Sequence, residues 1–132
     1  MSYRWVEHTA EVEVEIEALT EEGAFVDALH ALAELLGDDR HAADNVSREL
    51  AVDGRERAVL LLRWLDELVY LAETEGLVPE DVERLELSDG GLVARVRCHR
   101  GDPRPVVKGA TYHRLAFQRS AGAVRARVVL DV

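Results

Sequence analysis

Residues 11–17 alternate acidic and apolar side chains without a break, in the order Glu-Val-Glu-Val-Glu-Ile-Glu. Successive side chains of a β-strand point to opposite faces, so this alternation predicts a half-buried strand with one face made only of carboxylates. The apolar face of such a strand must be covered by other elements, which requires a layered fold. We interpret the four acidic side chains as solvent-facing. Cross-strand ion pairs with Arg125 and Arg127 are an alternative interpretation.

Periodicities along the rest of the chain predict two helices and five further strands. The first helix begins after Thr20, whose side chain caps it, and ends at Gly37. The second spans about 55–74, ends at Gly76 and has a broad apolar surface, which predicts a position between layers. The predicted strands cover 11–17, 46–53, 82–87, 92–99, 106–119 and 124–132. This order predicts one α+β domain over 1–132, with mostly antiparallel strands, in one sheet or two packed sheets, against two α-helices.

The last predicted strand stays apolar and alternating up to the final residue, whereas most domains end in a frayed polar tail. We therefore expect the terminus to be tied into a sheet. Two acidic groups stand side by side there, the side chain of Asp131 and the main-chain carboxylate of Val132. A fixed carboxylate is either an ion-pair partner or a ligand of a hard cation. Spacing favours the ion pair, because Arg125, Arg127 and Asp131 share one face of this strand.

The charge balance limits the kinds of partner. Lys and Arg number 16 against 26 Asp and Glu residues, for a net charge of −10. Nucleic-acid binding needs clustered cations, so we do not expect this chain to bind RNA or DNA alone, although Arg95, Arg97, His99 and Arg100 form a weak local patch. The excess of negative charge suits a basic protein partner or a cation.

The single cysteine, Cys98, excludes an internal disulfide and a multi-cysteine zinc site. No apolar run reaches the length of a membrane span, and the first residues lack the pattern of a secretory signal. From these features we expect a soluble cytoplasmic protein that makes no membrane contact.

Residues 108–113 concentrate Lys, Thr, Tyr and His side chains in one predicted strand. In a regular strand, Lys108 and Tyr112 would share one face and His113 would lie on the other. Gly109 marks a place where a backbone or a ligand could approach closely. An enzyme built on this segment would need His113 as its base, and the sequence contains no Ser or Cys in an activating motif. We therefore expect no catalytic activity.

Polar residues elsewhere have simpler interpretations. His8 has no second histidine at metal-ligand spacing, so we interpret it as a structural histidine. On the second helix, Arg63, Asp66 and Glu67 stand three and four residues apart, which predicts ion pairs on an exposed face.

Four blocks of the sequence, taken in order, resemble the archease family. The first is similar to the family's His-Thr-Ala-Asp block, the second lies in the long helix, the third contains the Thr-Tyr-His triplet, and the fourth is a Leu-Asp-Val end. The blocks are 8–11, 61–70, 108–113 and 130–132. No single block is specific, but four in this order in a chain of fitting length are, and the resemblance spans essentially the whole chain.

The resemblance implies a function and a site. Archeases assist the RtcB-type RNA ligase, which joins a 2′,3′-cyclic-phosphate or 3′-phosphate end to a 5′-hydroxyl end in tRNA splicing and RNA repair. The ligase transfers GMP from GTP onto a histidine with Mn²⁺, and archease promotes this guanylylation and multiple turnover without being the ligase. The resemblance places a metal on Glu11, Asp131 and Val132. We also expect Lys108 and His113 to contact the protein partner, with RNA bound only through the ligase.

One residue departs from the family pattern in a way that bears on the metal. Glu11 stands where the family usually has Asp, and its longer side chain moves the carboxylate by about one C–C bond. The adaptable shell of Ca²⁺ tolerates this better than the octahedron of Mg²⁺, so we expect Ca²⁺ as the cation. Two alternatives stay open: a chaperone-like interaction module for RNA-modifying enzymes without a metal requirement, and a small metal-dependent hydrolase using Glu11, Asp131 and His113.

Overall fold

The computed structural model of the protein describes residues 2–8, 10–37 and 44–132. Within these ranges the chain forms seven strands and two helices. In chain order they are β1 Ser2–His8, β2 Glu11–Ala18, α1 Glu21–Leu36, β3 Asn45–Asp53, α2 Arg57–Glu75, β4 Leu77–Ser88, β5 Gly91–Arg100, β6 Gly109–Ser120 and β7 Ala123–Asp131. The predicted α+β class with two helices is confirmed.

The strands form two antiparallel sheets, and the helices lie between them. One sheet has the strand order β1-β2-β7-β6 and the other the order β3-β5-β4. Helix α1 packs on β2 of the first sheet and β4 of the second, and α2 packs on β6, β3 and β4. Apolar side chains from both sheets and both helices therefore share one core, and the predicted position of α2 between layers is confirmed.

Local sequence signals set the ends of the helices. The side chain of Thr20 accepts a hydrogen bond from the Gly23 N–H at 3.0 Å, which satisfies a donor at the start of α1. Gly76 ends α2 with a φ of +65°, a left-handed conformation that glycine adopts without strain, and its N–H bonds to the Ala72 carbonyl. Neither helix in the described part of the chain combines the length and apolar character that crossing a membrane requires.

The two helices are joined by a buried tryptophan. Trp64 of α2 is 0% exposed, and its indole N–H donates a hydrogen bond to the main-chain carbonyl of Phe25 in α1 at 3.0 Å. A buried indole N–H needs such a partner, and the bond fixes the helices relative to each other. The helix layer in turn supports the inner face of the sheet that carries the C-terminus.

Strand boundaries differ from the predictions in three places. Strand β1 was not predicted, because residues 2–8 lack regular alternation and pair only with β2 at the edge of their sheet. Strand β4 begins at Leu77 and not at residue 82, and register shifts near Pro79 and Val82 hide its period. Strand β6 begins at Gly109 and not at residue 106. The polar composition of residues 38–45 predicts a loop, and most of this segment lies outside the described residues.

Candidate functional site

Glu11 and Asp131 are direct partners across two central strands of the four-stranded sheet. The register pairs Glu11 of β2 with Asp131 of β7, and Asp131 with Gly109 of β6. Directly opposed residues of an antiparallel pair have Cβ atoms about 4.5–5.5 Å apart and side chains on the same face. The structure therefore brings together two carboxylates from opposite ends of the chain. In the main-chain register His8 is the partner of Glu11 in β1. Thr9 lies outside the described residues.

The end of the chain is held between β2 and β6. The Val132 N–H donates a hydrogen bond to the Ala10 carbonyl at 3.3 Å, and the Asp131 carbonyl accepts one from the Lys108 N–H at 2.7 Å. The predicted anchoring of the terminus in a sheet is confirmed, at the end of an interior strand. We call Glu11, Asp131 and Val132 the acidic tip.

The arginines that could have neutralised Asp131 make other contacts. Arg125 pairs with Glu17 at 3.9 Å, as one of the two interpretations of residues 11–17 predicted. Arg127 donates a hydrogen bond from Nε to the Arg114 carbonyl at 2.7 Å. Among the side chains that the structure describes, none forms an ion pair or hydrogen bond with the carboxylate of Glu11 or Asp131.

Glu15 follows neither interpretation of the acidic strand. It pairs with Arg4 of β1 at 2.6 Å, although its register partner in β7 is Arg127. The hydrogen bond from Arg4 lowers the pKa of the Glu15 carboxyl below its ordinary value. The acid face of β2 is thus neutralised away from the acidic tip by arginines of both neighbouring strands.

The donors at the acidic tip suit a hard cation. Two side-chain carboxylates and the main-chain oxygen of Val132 offer only oxygen, the ligand type that Ca²⁺ and Mg²⁺ prefer. Within residues 2–8, 10–37 and 44–132, no three His, Cys, Asp or Glu side chains are grouped to hold a metal. The described side chains therefore supply no third ligand beside Glu11 and Asp131, and the structure does not group His113 with these two residues as the hydrolase alternative requires.

Glu13 is buried, so the prediction that all four acidic side chains face water is wrong at this residue. It is 1% exposed, and its Oε1 accepts a hydrogen bond from Arg114 Nε at 2.8 Å. Arg114 belongs to β6, and β7 lies between β6 and β2. The guanidinium therefore crosses over β7 on the outer face of the sheet to reach the carboxylate.

Arg114 can cross the sheet because β6 contains a wide irregularity. Thr111 pairs with Val129 and Ala116 with Arg127, so residues 112–115 stand opposite Val128 alone. We call residues 112–115 the bulge. The predicted alternation of side chains therefore ends at Thr111, and the assignment of Tyr112 and His113 to opposite faces of a regular strand is wrong.

Asp66 of α2 secures the start of β6. Its Oδ1 accepts a hydrogen bond from the Ala110 N–H at 2.8 Å, while Arg63 donates to the Asp53 carbonyl at 2.8 Å. The predicted pairing of Arg63 with Asp66 on the helix surface is therefore wrong. A Cβ added at Gly109 would lie 3.4 Å from Asp66 Oδ1, so the predicted close approach at Gly109 comes from this side chain.

We expect Asp66→Ala to lower the free energy of unfolding by about 1–3 kcal/mol, because the Ala110 N–H loses a charged acceptor on an edge strand. Asp66→Asn keeps an acceptor oxygen and is the matched control, with a smaller loss. Urea unfolding followed by circular dichroism measures both variants. Equal stability of Asp66→Ala and the wild type would show that the bond contributes nothing.

Three of the four residues in the local basic patch predicted from sequence contact carboxylates. Arg95 pairs with Glu49 at 3.0 Å, Arg97 with Glu80 at 3.3 Å, and His99 Nδ1 lies 2.8 Å from a Glu80 oxygen. These residues belong to an ion-pair network on the outer face of the three-stranded sheet. Clustered cations available to phosphate groups are therefore not present at Arg95, Arg97 and His99.

Cys98 is a core residue. It is 1% exposed, and burial raises the pKa of its thiol to about 11. Since the thiolate is the nucleophilic form of cysteine, the thiol of Cys98 is neutral and unreactive near pH 7.

A helix layer between two antiparallel sheets, with two carboxylates paired at the end of one sheet, defines a small α+β protein of one architecture. The chain belongs to the archease protein family (MTH1598/TM1083), whose sequence model matches residues 3–132. The family resemblance of the four sequence blocks is thereby confirmed.

Relatives of known sequence and structure match along nearly the whole chain. The protein archease of Methanopyrus kandleri is 30% identical over 142 residues and covers 100% of both chains. That of Pyrobaculum neutrophilum is 30% identical over 139 residues, 98% of this chain and 95% of the relative.

Two solved structures share the fold. The solution structure of Methanobacterium thermoautotrophicum protein 1598 superimposes with a TM-score of 0.72 at 26% identity, over 98% of each chain. The crystal structure of a Thermotoga maritima archease, described as a possible chaperone, gives a TM-score of 0.69 at 24% identity, over 96% of this chain and 94% of that one.

Proposed function

We propose that this protein is a non-catalytic activator of an RtcB-type RNA ligase in tRNA splicing or RNA repair, and that it works in the cytoplasm through the acidic tip. The observation that carries the proposal is the direct pairing of Glu11 with Asp131 beside the chain end, in a member of the archease family. Carboxylates so close repel each other, and such an arrangement weakens a fold unless something binds there.

A Ca²⁺ ion held by Glu11, Asp131 and the main-chain oxygen of Val132 would relieve this repulsion. The oxygen-only donor set supports a hard cation, and the longer side chain of Glu11 favours the adaptable Ca²⁺ shell. The bound ion would supply local positive charge and order the side chains of the acidic tip. Hydrogen bonds through Lys108 and Ala10 already fix the main chain beside these ligands.

The acidic tip would dock near the nucleotide and metal site of the ligase. The net charge of −10 favours encounter with a basic protein surface, and charge complementarity increases association rates more than it increases affinity. Because the tip is built on interior strands, little conformational entropy is lost on docking. Lys108 stands next to the tip with an exposed side chain and would contact the ligase there.

Guanylylation of the ligase tests the proposal directly. The purified cognate ligase is mixed with Mn²⁺ and radiolabelled GTP, with and without this protein, and the labelled ligase is followed in time. We expect the rate to rise at least about tenfold, which corresponds to about 1.4 kcal/mol of barrier. An unchanged rate, with a ligase shown to guanylylate at high GTP concentration, would contradict the proposal.

The metal requirement separates this proposal from a second candidate, a chaperone-like interaction module for RNA-modifying enzymes that needs no metal. The description of the Thermotoga maritima relative as a possible chaperone favours this second candidate. The protein is stripped with EGTA and desalted before the assay, because a chelator left in solution would remove the Mn²⁺ of the ligase. Stimulation that falls on stripping and returns with Ca²⁺ supports the metal-dependent activator.

A further inference from the structure

We propose that the bulge at residues 112–115 is a second contact surface for the same ligase, with Tyr112 as its anchor, and that the Glu13–Arg114 ion pair holds the bulge in its binding shape. This inference rests on the proposed function and adds a surface that the acidic tip does not include. Three features of the bulge support it: its backbone conformation, the buried carboxylate beneath it, and the side chains that it presents.

The backbone of the bulge is held in an unfavourable conformation. Arg114 has a φ of +56°, which lies in the left-handed region. This conformation is energetically unfavourable for any residue other than glycine. Hydrogen bonds on both sides hold it there, from Arg127 Nε to the Arg114 carbonyl and from the His113 N–H to Thr111 Oγ1 at 3.2 Å. A strained conformation that its surroundings enforce is characteristic of functional segments.

The ion pair beneath the bulge is a costly way to gain stability. Burial of the Glu13 carboxylate removes it from water, and the Arg114 guanidinium that compensates is itself 48% exposed. An apolar residue at position 13 would cover β7 without the cost of desolvating a charge. Unlike an apolar contact, the ion pair fixes the position of Arg114. It therefore also fixes the residues on either side of Arg114.

The bulge presents an aromatic side chain to solvent, and the ion pair that holds the bulge ends close to the acidic tip. Tyr112 is 65% exposed, and His113 is exposed as well. Glu13, which holds the bulge, is two residues from Glu11 on the same face of β2, about 7 Å along the strand. Tyrosine is enriched among the residues that dominate protein–protein binding energy. The acidic tip and the ion-paired bulge are therefore neighbours on one sheet, and together they would fit a basic patch flanked by a pocket for an aromatic ring.

Tyr112→Ala tests the anchor. We expect it to weaken binding of the purified ligase at least about 30-fold in isothermal titration calorimetry, the size of effect that defines a binding hot spot. The matched control is Tyr70→Ala, since Tyr70 is 58% exposed on α2, outside the bulge. We expect the control to bind within about twofold of the wild type, since most interface-distant surface changes have little effect. Both side chains are exposed, so neither variant endangers the fold.

A test of the ion pair requires a variant without both charges, because removal of Arg114 alone would leave the Glu13 carboxylate buried and uncompensated. Glu13→Gln/Arg114→Ala removes both charges, and we expect faster amide hydrogen exchange at residues 112–115 together with weaker ligase binding. The single variant Glu13→Gln keeps an acceptor for Arg114 Nε and should retain most of the binding. Ca²⁺ affinity, measured without the ligase, should stay within about twofold of the wild type in the double variant, because Glu11 and Asp131 are untouched.

The outcomes separate this inference from the proposed function. Wild-type protein that neither binds nor stimulates the ligase overturns both. Wild-type protein that binds, with equal affinity for Tyr112→Ala, overturns only the anchor at the bulge. Equal loss in Tyr112→Ala and Tyr70→Ala also overturns it, because the effect would then not be specific to the bulge. A loss confined to Tyr112→Ala and the double variant supports it.

Discussion

Trp64→Ala is expected to lower the free energy of unfolding by about 3–5 kcal/mol, the usual range when a large aromatic side chain is removed from a core. Trp64 is 0% exposed, and its indole N–H donates a hydrogen bond to the Phe25 carbonyl. The substitution therefore leaves a cavity between α1 and α2 and removes the hydrogen bond that joins the two helices. Small domains are stable by about 5–15 kcal/mol in total, so much of the stability would be lost.

Urea unfolding monitored by circular dichroism gives the free energy for this variant and two controls. Tyr70→Ala removes an exposed aromatic side chain from the same helix and should change the free energy by less than about 0.5 kcal/mol. Trp64→Phe removes the indole N–H but keeps most of the ring volume, and should fall between the wild type and Trp64→Ala. A loss below about 1 kcal/mol in Trp64→Ala would mean that the helix layer tolerates the cavity by collapsing around it.

The helices could be predicted because their signals are local. Thr20 caps α1 through its own side chain, and Gly76 ends α2 through its own backbone conformation. Each signal acts within one turn of the helix and does not depend on the rest of the fold. The apolar breadth of α2 likewise gave its place between the sheets, because a helix that is apolar on two sides must be covered on both.

The fate of the four acids on β2 could not be predicted from their pattern. Glu11, Glu13 and Glu15 occupy equivalent positions in the same alternation, yet Glu13 is buried and the other two are partly exposed. The difference comes from Arg114, which is 101 residues away in sequence. The contact between Arg114 and Glu13 requires the bulge. A glycine in the sequence would have suggested a bulge, but here the residue with positive φ is an arginine, which does not suggest one. Asp66 was missed for a related reason, since its partner is a main-chain N–H of another element.

The position of the candidate site was predictable from family resemblance and not from spacing. Spacing alone favoured an ion pair of Asp131 with the arginines of its own strand. In the structure those arginines bind Glu17 and the Arg114 carbonyl. Side chains two residues apart on one strand point to the same face of the sheet. The side chain directly opposite on the neighbouring strand is nevertheless closer than the one two residues along, so the sheet register decides which side chains pair. The register places Glu11 opposite Asp131, and that information is absent from either strand alone.

Asp131→Ala is expected to weaken Ca²⁺ binding at least about 100-fold and to return ligase guanylylation to the rate without this protein. Loss of a residue that only supports a metal ligand already costs about 10–100-fold in affinity, and loss of the ligand itself costs more. The Asp131 side chain is exposed, so the fold should be unaffected. Calorimetric titration with CaCl₂ and the labelled-GTP assay measure the two effects.

Two further variants separate loss of a ligand from loss of charge. Asp89→Ala removes one negative charge from the exposed turn between β4 and β5 and should leave Ca²⁺ affinity and stimulation unchanged. Glu11→Asp keeps a carboxylate at the acidic tip and should retain both activities. Mg²⁺ binding should become relatively stronger, because the strict Mg²⁺ octahedron tolerates the longer Glu side chain less well than the adaptable Ca²⁺ shell does. Stimulation that survives Asp131→Ala at the wild-type rate would exclude the acidic tip as the working surface. Loss of Ca²⁺ binding with full stimulation would instead favour the metal-free interaction module.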